Sequence, residues 1–216
     1  MSLEITTYDI IAIAIVLAFV AVIQFFRGRK INLLLIEFTA RAFERVLRPK
    51  DKEYQWIGLY VGYRARFDTP YKSLAKVEAV VTLMPRHSLF YLPIALITSR
   101  FDRLYMFFRY RKRFTGEAHV IRKYYYRTSL RRVIKGIERM ALESIDIAGK
   151  TYYLVYNDSS MLRSLLNMVK SLSNPHIVNH IAIVSSNSSL FVAARVNPQT
   201  FEELLRKTYR LAREFA

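Results

Sequence analysis

The sequence contains no cysteine. That excludes disulfides, thiol catalysis and every Cys-ligated metal site. Glycine and proline are scarce, six of each in 216 residues, and the glycines fall mainly at positions read as turns or strands. None of the GxGxxG, GxxxxGK[ST], HExxH or GxSxG patterns occurs, so the common nucleotide-binding, zinc-protease and serine-hydrolase signatures are missing. Acidic residues are few, and Glu138, Glu143 and Asp146 form no pair with an evident acid–base geometry. The expectation is a protein with no catalytic residues, no cofactor and no small-molecule substrate. His176 and His180 stand four apart, a spacing that holds a metal on a helix. Their segment, SNPHIVNHIAIV, reads instead as loop then strand and has no clustered carboxylate. His87, His119, His176 and His180 are therefore expected to be ordinary surface histidines, and no metal site is expected.

Charge is missing from one stretch altogether. Ile10 to Phe26, IIAIAIVLAFVAVIQFF, holds seventeen residues with Gln24 as its single polar side chain. As a helix it reaches about 26 Å, close to the roughly 30 Å of a hydrocarbon core. A core helix of a globular domain normally shows one polar face, and this stretch is apolar all round. A secretory signal would carry a basic n-region, whereas Glu4 and Asp9 precede this run. Arg27, Arg29 and Lys30 follow it, and the positive-inside rule then puts residues 1–9 outside and residues 27–216 in the cytoplasm. Gln24, near the inner end, reads as a tolerated interfacial residue.

Beyond the span the period changes several times. Residues 31–47 form an amphipathic helix, with Leu34, Leu35, Phe38, Ala42, Phe43 and Val46 at three- and four-residue spacings and Pro49 beyond its end. Its apolar face can lie on lipid or dock on the domain. Residues 55–67 alternate as a strand, Thr69-Pro70 turns the chain, and 74–84 form a second strand. Residues 88–98, SLFYLPIALIT, are the second most apolar stretch and read either as a short broken helix or as a loop dipping into the membrane interface. A strand–strand–helix unit then recurs three times, at 102–112, 117–126 and 128–140, at 142–148, 151–156 and 158–173, and at 177–186, 189–196 and 198–215. Thr128, then Asn157 or Asp158, are the expected caps of the first two helices, and Asn197-Pro198 opens the third with Glu202 and Glu203 in its first turn. The predicted fold is α+β: a transmembrane helix at 10–26, a juxtamembrane helix within 27–50, and a domain at 51–216 with helices packed on one face of an antiparallel sheet.

Basic residues dominate, 34 against 17 acidic, a net charge of +17. Thirteen of them lie between Arg86 and Lys135, against Asp102 and Glu117 alone, a local net of +11. Such an excess speaks for an anionic partner. The candidate RNA- or lipid-binding residues are Arg100, Arg103, Arg109, Arg111, Lys112, Arg113, Arg122, Lys123, Arg127, Arg131, Arg132 and Lys135. Arg109, Arg111 and Arg113 alternate as if along one strand face, and Tyr124, Tyr125 and Tyr126 offer rings for stacking on bases. Ribosomal RNA, an anionic leaflet and plain solubility are the three readings of this block. Leu89, Phe90, Tyr91, Leu92, Ile94 and Leu96 are the candidates for contact with membrane or partner. Abundant Arg, Tyr and Ile without cysteine point toward a thermophilic source.

The order FFRGRK, NLLLIEFTARAFE, WIGLYVGYRARFDTPYKSLAKVEAVVTLMPR, YYLVYNDSSMLRSLLNMVKSL and SLFVAARVNPQTFEELLRKTYRLAREF resembles the calumin family, the coiled-coil-domain proteins of the endoplasmic reticulum that are PAT-complex subunits of the multipass translocon. The resemblance covers about residues 10–215 and rests on order, spacing and hydrophobic pattern. It implies one membrane span, a cytosolic α+β domain and a non-enzymatic role in inserting and folding membrane proteins beside the Sec translocon and ribosome. It also implies a small Asterix-like membrane subunit as partner. The family's acidic lumenal segment and basic coiled-coil tail have no counterpart here. Calcium binding is therefore not expected, and ribosome contact would fall to residues 100–135.

Overall fold

In the computed structural model residues 6–128, 134 and 136–216 are described, with only the backbone considered for 126–128. The chain opens with α1, Thr7–Leu47, a single helix of 41 residues and about 60 Å. The two helices expected at 10–26 and 31–47 are therefore one. Thr6 and Asp9 close a capping box at its start, and Arg48 ends it in the left-handed conformation. The helix changes character part-way along. Its first half is bare and mostly apolar, and α1 is long and apolar enough to cross a membrane. From residue 28 a stripe of Gly28, Asn32, Ile36, Thr39, Phe43 and Leu47 is buried, at spacings of three and four.

Nine strands follow among the described residues: β1 Asp51–Trp56, β2 Gly62–Asp68, β3 Leu74–Thr82, β4 Arg103–Tyr110, β5 Ala118–Arg122, β6 Ala141–Ile147, β7 Lys150–Tyr156, β8 Val178–Val184 and β9 Ser189–Arg195. They make one sheet in the order β1-β2-β3-β4-β9-β8-β5-β7-β6, with every neighbouring pair antiparallel. The helices are α2 Tyr91–Thr98, α3 Lys123–Thr128, α4 Ser159–Ser171 and α5 Phe201–Glu214. The inner half of α1, together with α4 and α5, covers one sheet face over a continuous apolar core. Phe43 and Phe201 meet edge to face at 5.7 Å, and Phe43 stacks on Phe67 at 5.4 Å. On the opposite face α3 brings Tyr125 against a smaller cluster of Ile121, Val155 and Ile134. This is an α+β fold, and strand–strand–helix recurs three times.

Several boundaries differ from expectation, each for a local reason. The strand read at 55–67 is two strands, because Gly58, Tyr60 and Gly62 at φ 56°, 59° and 150° reverse the chain and the Ile57 amide donates to the Gly62 carbonyl. β4 ends at Tyr110, so Arg109, Arg111 and Arg113 do not share a strand face. Arg111 to Arg113 lie in the connection to β5. The tyrosine run expected in a strand is helical, since α3 begins at Lys123, and Thr128 lies inside that helix instead of capping it. Of the rest of the helix expected at 128–140, residues 129–133 and 135 lie outside the described residues, and Ile137–Arg139 form only a 3-10 turn before β6. Asp158 does cap α4, receiving the amides of Ser160 and Met161. The cap of α5 is Thr200, not Asn197-Pro198, while Glu202 and Glu203 do occupy its first turn.

Candidate functional site

The sheet meets α1 at one end of the strands, and that junction is built from polar groups. Asn32 is fully buried and donates to the carbonyls of Tyr60 at 2.8 Å and Met84 at 2.9 Å. Its own oxygen accepts from Arg86 at 3.0 Å. Arg86 forms a two-pronged pair with Asp102 at 2.9 and 2.7 Å, and Asp102 also receives the Met84 amide. Such a network holds because each buried polar group in it is satisfied. Gly28 lets the loop close in, since a Cβ there would lie 2.1 Å from the Arg86 carbonyl oxygen. Gln24 donates to that same carbonyl at 2.7 Å. It is thus a fastening between helix and loop rather than an idle interfacial residue.

Directly beside this junction lies exposed apolar surface. The β1–β2 turn stacks Tyr60 beneath Arg29, with the guanidinium 4.6 Å from the ring, and leaves Trp56 and Leu59 more than 60% exposed, at 61% and 63%. α2 follows at once on the 84–88 loop, whose His87 ring touches Phe25. Its only fully buried side chain is Ala95, while Phe90 and Ile97 are 73% and 74% exposed. Of the residues expected to contact membrane or partner, Phe90, Tyr91, Ile94 and Leu96 are exposed, and Leu89 and Leu92 are half-buried. All six fall on α2 or the residues leading into it. Contiguous apolar exposure of this kind marks an interaction surface.

The basic residues do not form one patch. Arg100 and Arg103 line a cleft of about 370 Å³ at the end of α2, together with Phe101, Tyr105, Tyr125 and Asn179. Arg109 is tied to Glu78 at 3.0 Å. Arg111, Lys112 and Arg113 are exposed at the opposite end of β4, where Arg111 donates its amide to Ser73. Arg122 is half-buried and donates to the His176 carbonyl at 3.2 Å, and Lys123 is exposed at the start of α3. The Arg127 side chain and Arg131, Arg132 and Lys135 lie outside the described residues. Arg195 was not anticipated. It ends β9 directly opposite Arg103, and its guanidinium sits 3.9 Å from the Phe101 ring centre. Burial, then repulsion from Arg122, lowers its pKa from the ordinary arginine value. No local signal announces it, because strand pairing far along the chain brings it there.

Two of the four histidines expected at the surface, His119 and His180, are instead buried, while His87 and His176 are half-buried. His119 and His180 are 3% and 4% exposed and interact ring to ring, Nδ1 of His119 lying 3.1 Å from Nε2 of His180. His119 also meets Glu117 at 2.9 Å, and Ser185 donates its hydroxyl to the other Glu117 oxygen at 2.7 Å. Burial, then His119, pushes His180 well below the usual imidazole pKa. Burial raises the Glu117 pKa, but hydrogen bonds from His119 and Ser185 outweigh it and bring the pKa down. The chain Ser185–Glu117–His119–His180 links the neighbouring strands β5 and β8 in the interior of the sheet. His176 is not part of it, and among the described residues no group of three or more potential ligands could hold a metal ion.

No protein-family model matches the chain, and no curated protein matches it in sequence. The resemblance to the calumin family stands on the ordered segments quoted above alone.

Proposed function

We propose that this protein is a non-enzymatic, single-span membrane factor that assists the insertion and folding of membrane proteins. In this reading the span is at 10–26, the N-terminus is outside and the domain is cytoplasmic. The observation that carries the reading is the apolar surface of α2 and the β1–β2 turn, exposed beside the point where α1 passes from a bare helix to a docked one. An apolar client segment leaving water at the inner leaflet would find unpaired apolar side chains there, next to a helix long enough to guide it. The exposed Arg111–Arg113 turn, at the other end of β4, would face away from the membrane toward ribosomal RNA and the Sec translocon. A small Asterix-like subunit would pack against the bare part of α1. Photo-crosslinkers at Leu96 and Ile97 in native membranes test this. They should capture nascent multipass proteins, and capture of lipid alone would overturn the reading. Salt-dependent cosedimentation with ribosomes, lost on reversing charge at Arg111 and Arg113, tests the ribosomal part.

A second reading is favoured by the cleft at Arg100 and Arg103. The protein would then be a membrane-anchored scaffold that binds anionic lipid headgroups. Flotation with anionic but not zwitterionic vesicles, without ribosome binding, would select it.

A further inference from the structure

Arg103 and Arg195 are register partners across β4 and β9. Directly opposed side chains in an antiparallel pair stand about 4.5–5.5 Å apart at Cβ, and like charges there destabilise the sheet. The one acid nearby, Asp102, is committed to Arg86, and among the described residues no ion pair involves Arg100, Arg103 or Arg195. The Nε of Arg195 is buried with no hydrogen-bond partner. Phe101 offsets part of the repulsion, its ring lying 3.9 Å from the Arg195 guanidinium and 6.0 Å from that of Arg103.

Arg100 adds a third charge at a cost in backbone conformation. It follows the end of α2 at φ 61°, with its amide bonded to the Ala95 carbonyl at 3.0 Å. That left-handed position at a helix end is normally glycine's. Asn179, buried at a bulge in β8, lines the same cleft. Arg100 and Arg103 line the cleft, and Arg195 lies behind its Phe101 wall as the register partner of Arg103; among the described residues none of the three has an ion-pair partner, an arrangement suited to an anion. Thr98 and Ser99, at the end of α2, line the cleft, and Ile94 and Ile97 of the same helix are exposed.

We infer that this cleft binds the phosphate of an anionic phospholipid, with Arg100, Arg103 and Arg195 on the phosphate and the acyl chains running along α2. The inference rests on the second reading above and assigns it a site. RNA would also supply phosphate, and Phe101, Tyr105 and Tyr125 in the cleft wall offer rings to its bases; the exposed aliphatic side chains of α2 favour acyl chains, and the soluble glycerol phosphate arm below separates the lipid from phosphate alone.

The test uses the full chain purified in neutral detergent, with thermal unfolding followed as phosphatidylglycerol, phosphatidylcholine or soluble glycerol phosphate is added. Wild type should gain several degrees with phosphatidylglycerol and little with the other two. Arg103→Gln and Arg195→Gln should fold and melt no lower than wild type without lipid, because each removes the opposed charge. Each should weaken phosphatidylglycerol binding at least tenfold. Arg100→Gly should raise the melting temperature without lipid and reduce the lipid-induced gain. Arg111→Gln with Arg113→Gln should leave that gain intact. If wild type does not prefer phosphatidylglycerol, both the site and the headgroup reading fall. If it does, but Arg103→Gln and Arg195→Gln respond fully, only the site falls. An equal gain from glycerol phosphate would overturn the lipid as its occupant.

Discussion

Two residues fix how the long helix meets the sheet, and each carries a prediction. Gly28 sits where a methyl group would fall 2.1 Å from the Arg86 carbonyl oxygen, backbone that cannot swing aside cheaply. Gly28→Ala should therefore destabilise the domain by about 1–3 kcal/mol in denaturant unfolding, despite the better helix propensity of alanine. Asn32→Ala strips partners from two buried carbonyls and from Arg86, and should cost about 3 kcal/mol in the same measurement. His180 sets a pH dependence. Its folded pKa is depressed by burial, then by His119, so between that value and about 6.5 the unfolded chain binds more protons and stability rises with pH. The contribution is complete above about pH 6.5 and is lost as pH falls below it, with a limiting slope of about 1.4 kcal/mol per pH unit. Melting temperatures of wild type and His180→Leu should converge as pH is lowered from 7.5 to 5. Parallel curves would contradict the assignment.

Among the elements, those with strong local period were legible. The hairpins β6–β7 and β8–β9, the Asp158 cap of α4 and the acidic first turn of α5 follow from alternation, turn residues and capping chemistry. α1 was not read as one helix, because the RGRK run looks like a boundary. Only the docking of Gly28 and Asn32 shows that the helix continues through it. The β1–β2 reversal was hidden because Tyr60 takes a positive φ that tertiary contacts hold, with Arg29 over its ring. The cleft arginines Arg100 and Arg103 were visible in the sequence, whereas Arg195 reaches the neighbouring Phe101 only through pairing between distant strands. α2 was recognised by its apolar composition, and its exposure gives an element-scale prediction. Ile94→Gln with Ile97→Gln should shift stability by less than about 0.5 kcal/mol, since neither side chain is buried. It should nonetheless abolish crosslinking from Leu96 to lipid or client.

At the scale of the molecule, one end of the strands carries the polar lock to α1, the exposed apolar turn, α2 and the arginine cleft. The opposite end of β4 carries the exposed basic turn of Arg111–Arg113. A membrane-anchored domain with this polarity would place apolar surface and anion site at the bilayer and basic charge in the aqueous phase. The absence of cysteine makes orientation directly measurable. A single Arg111→Cys should react with an impermeant maleimide only after the membrane is opened, and labelling of intact cells would reverse the proposed topology. The chain also holds a single tryptophan, Trp56, exposed on the turn beside the junction. Its fluorescence in proteoliposomes reports whether that end of the domain touches lipid. Its emission should be blue-shifted, quenched by brominated phospholipids and untouched by aqueous iodide. A water-like emission, quenched by iodide and untouched by brominated lipid, would contradict it.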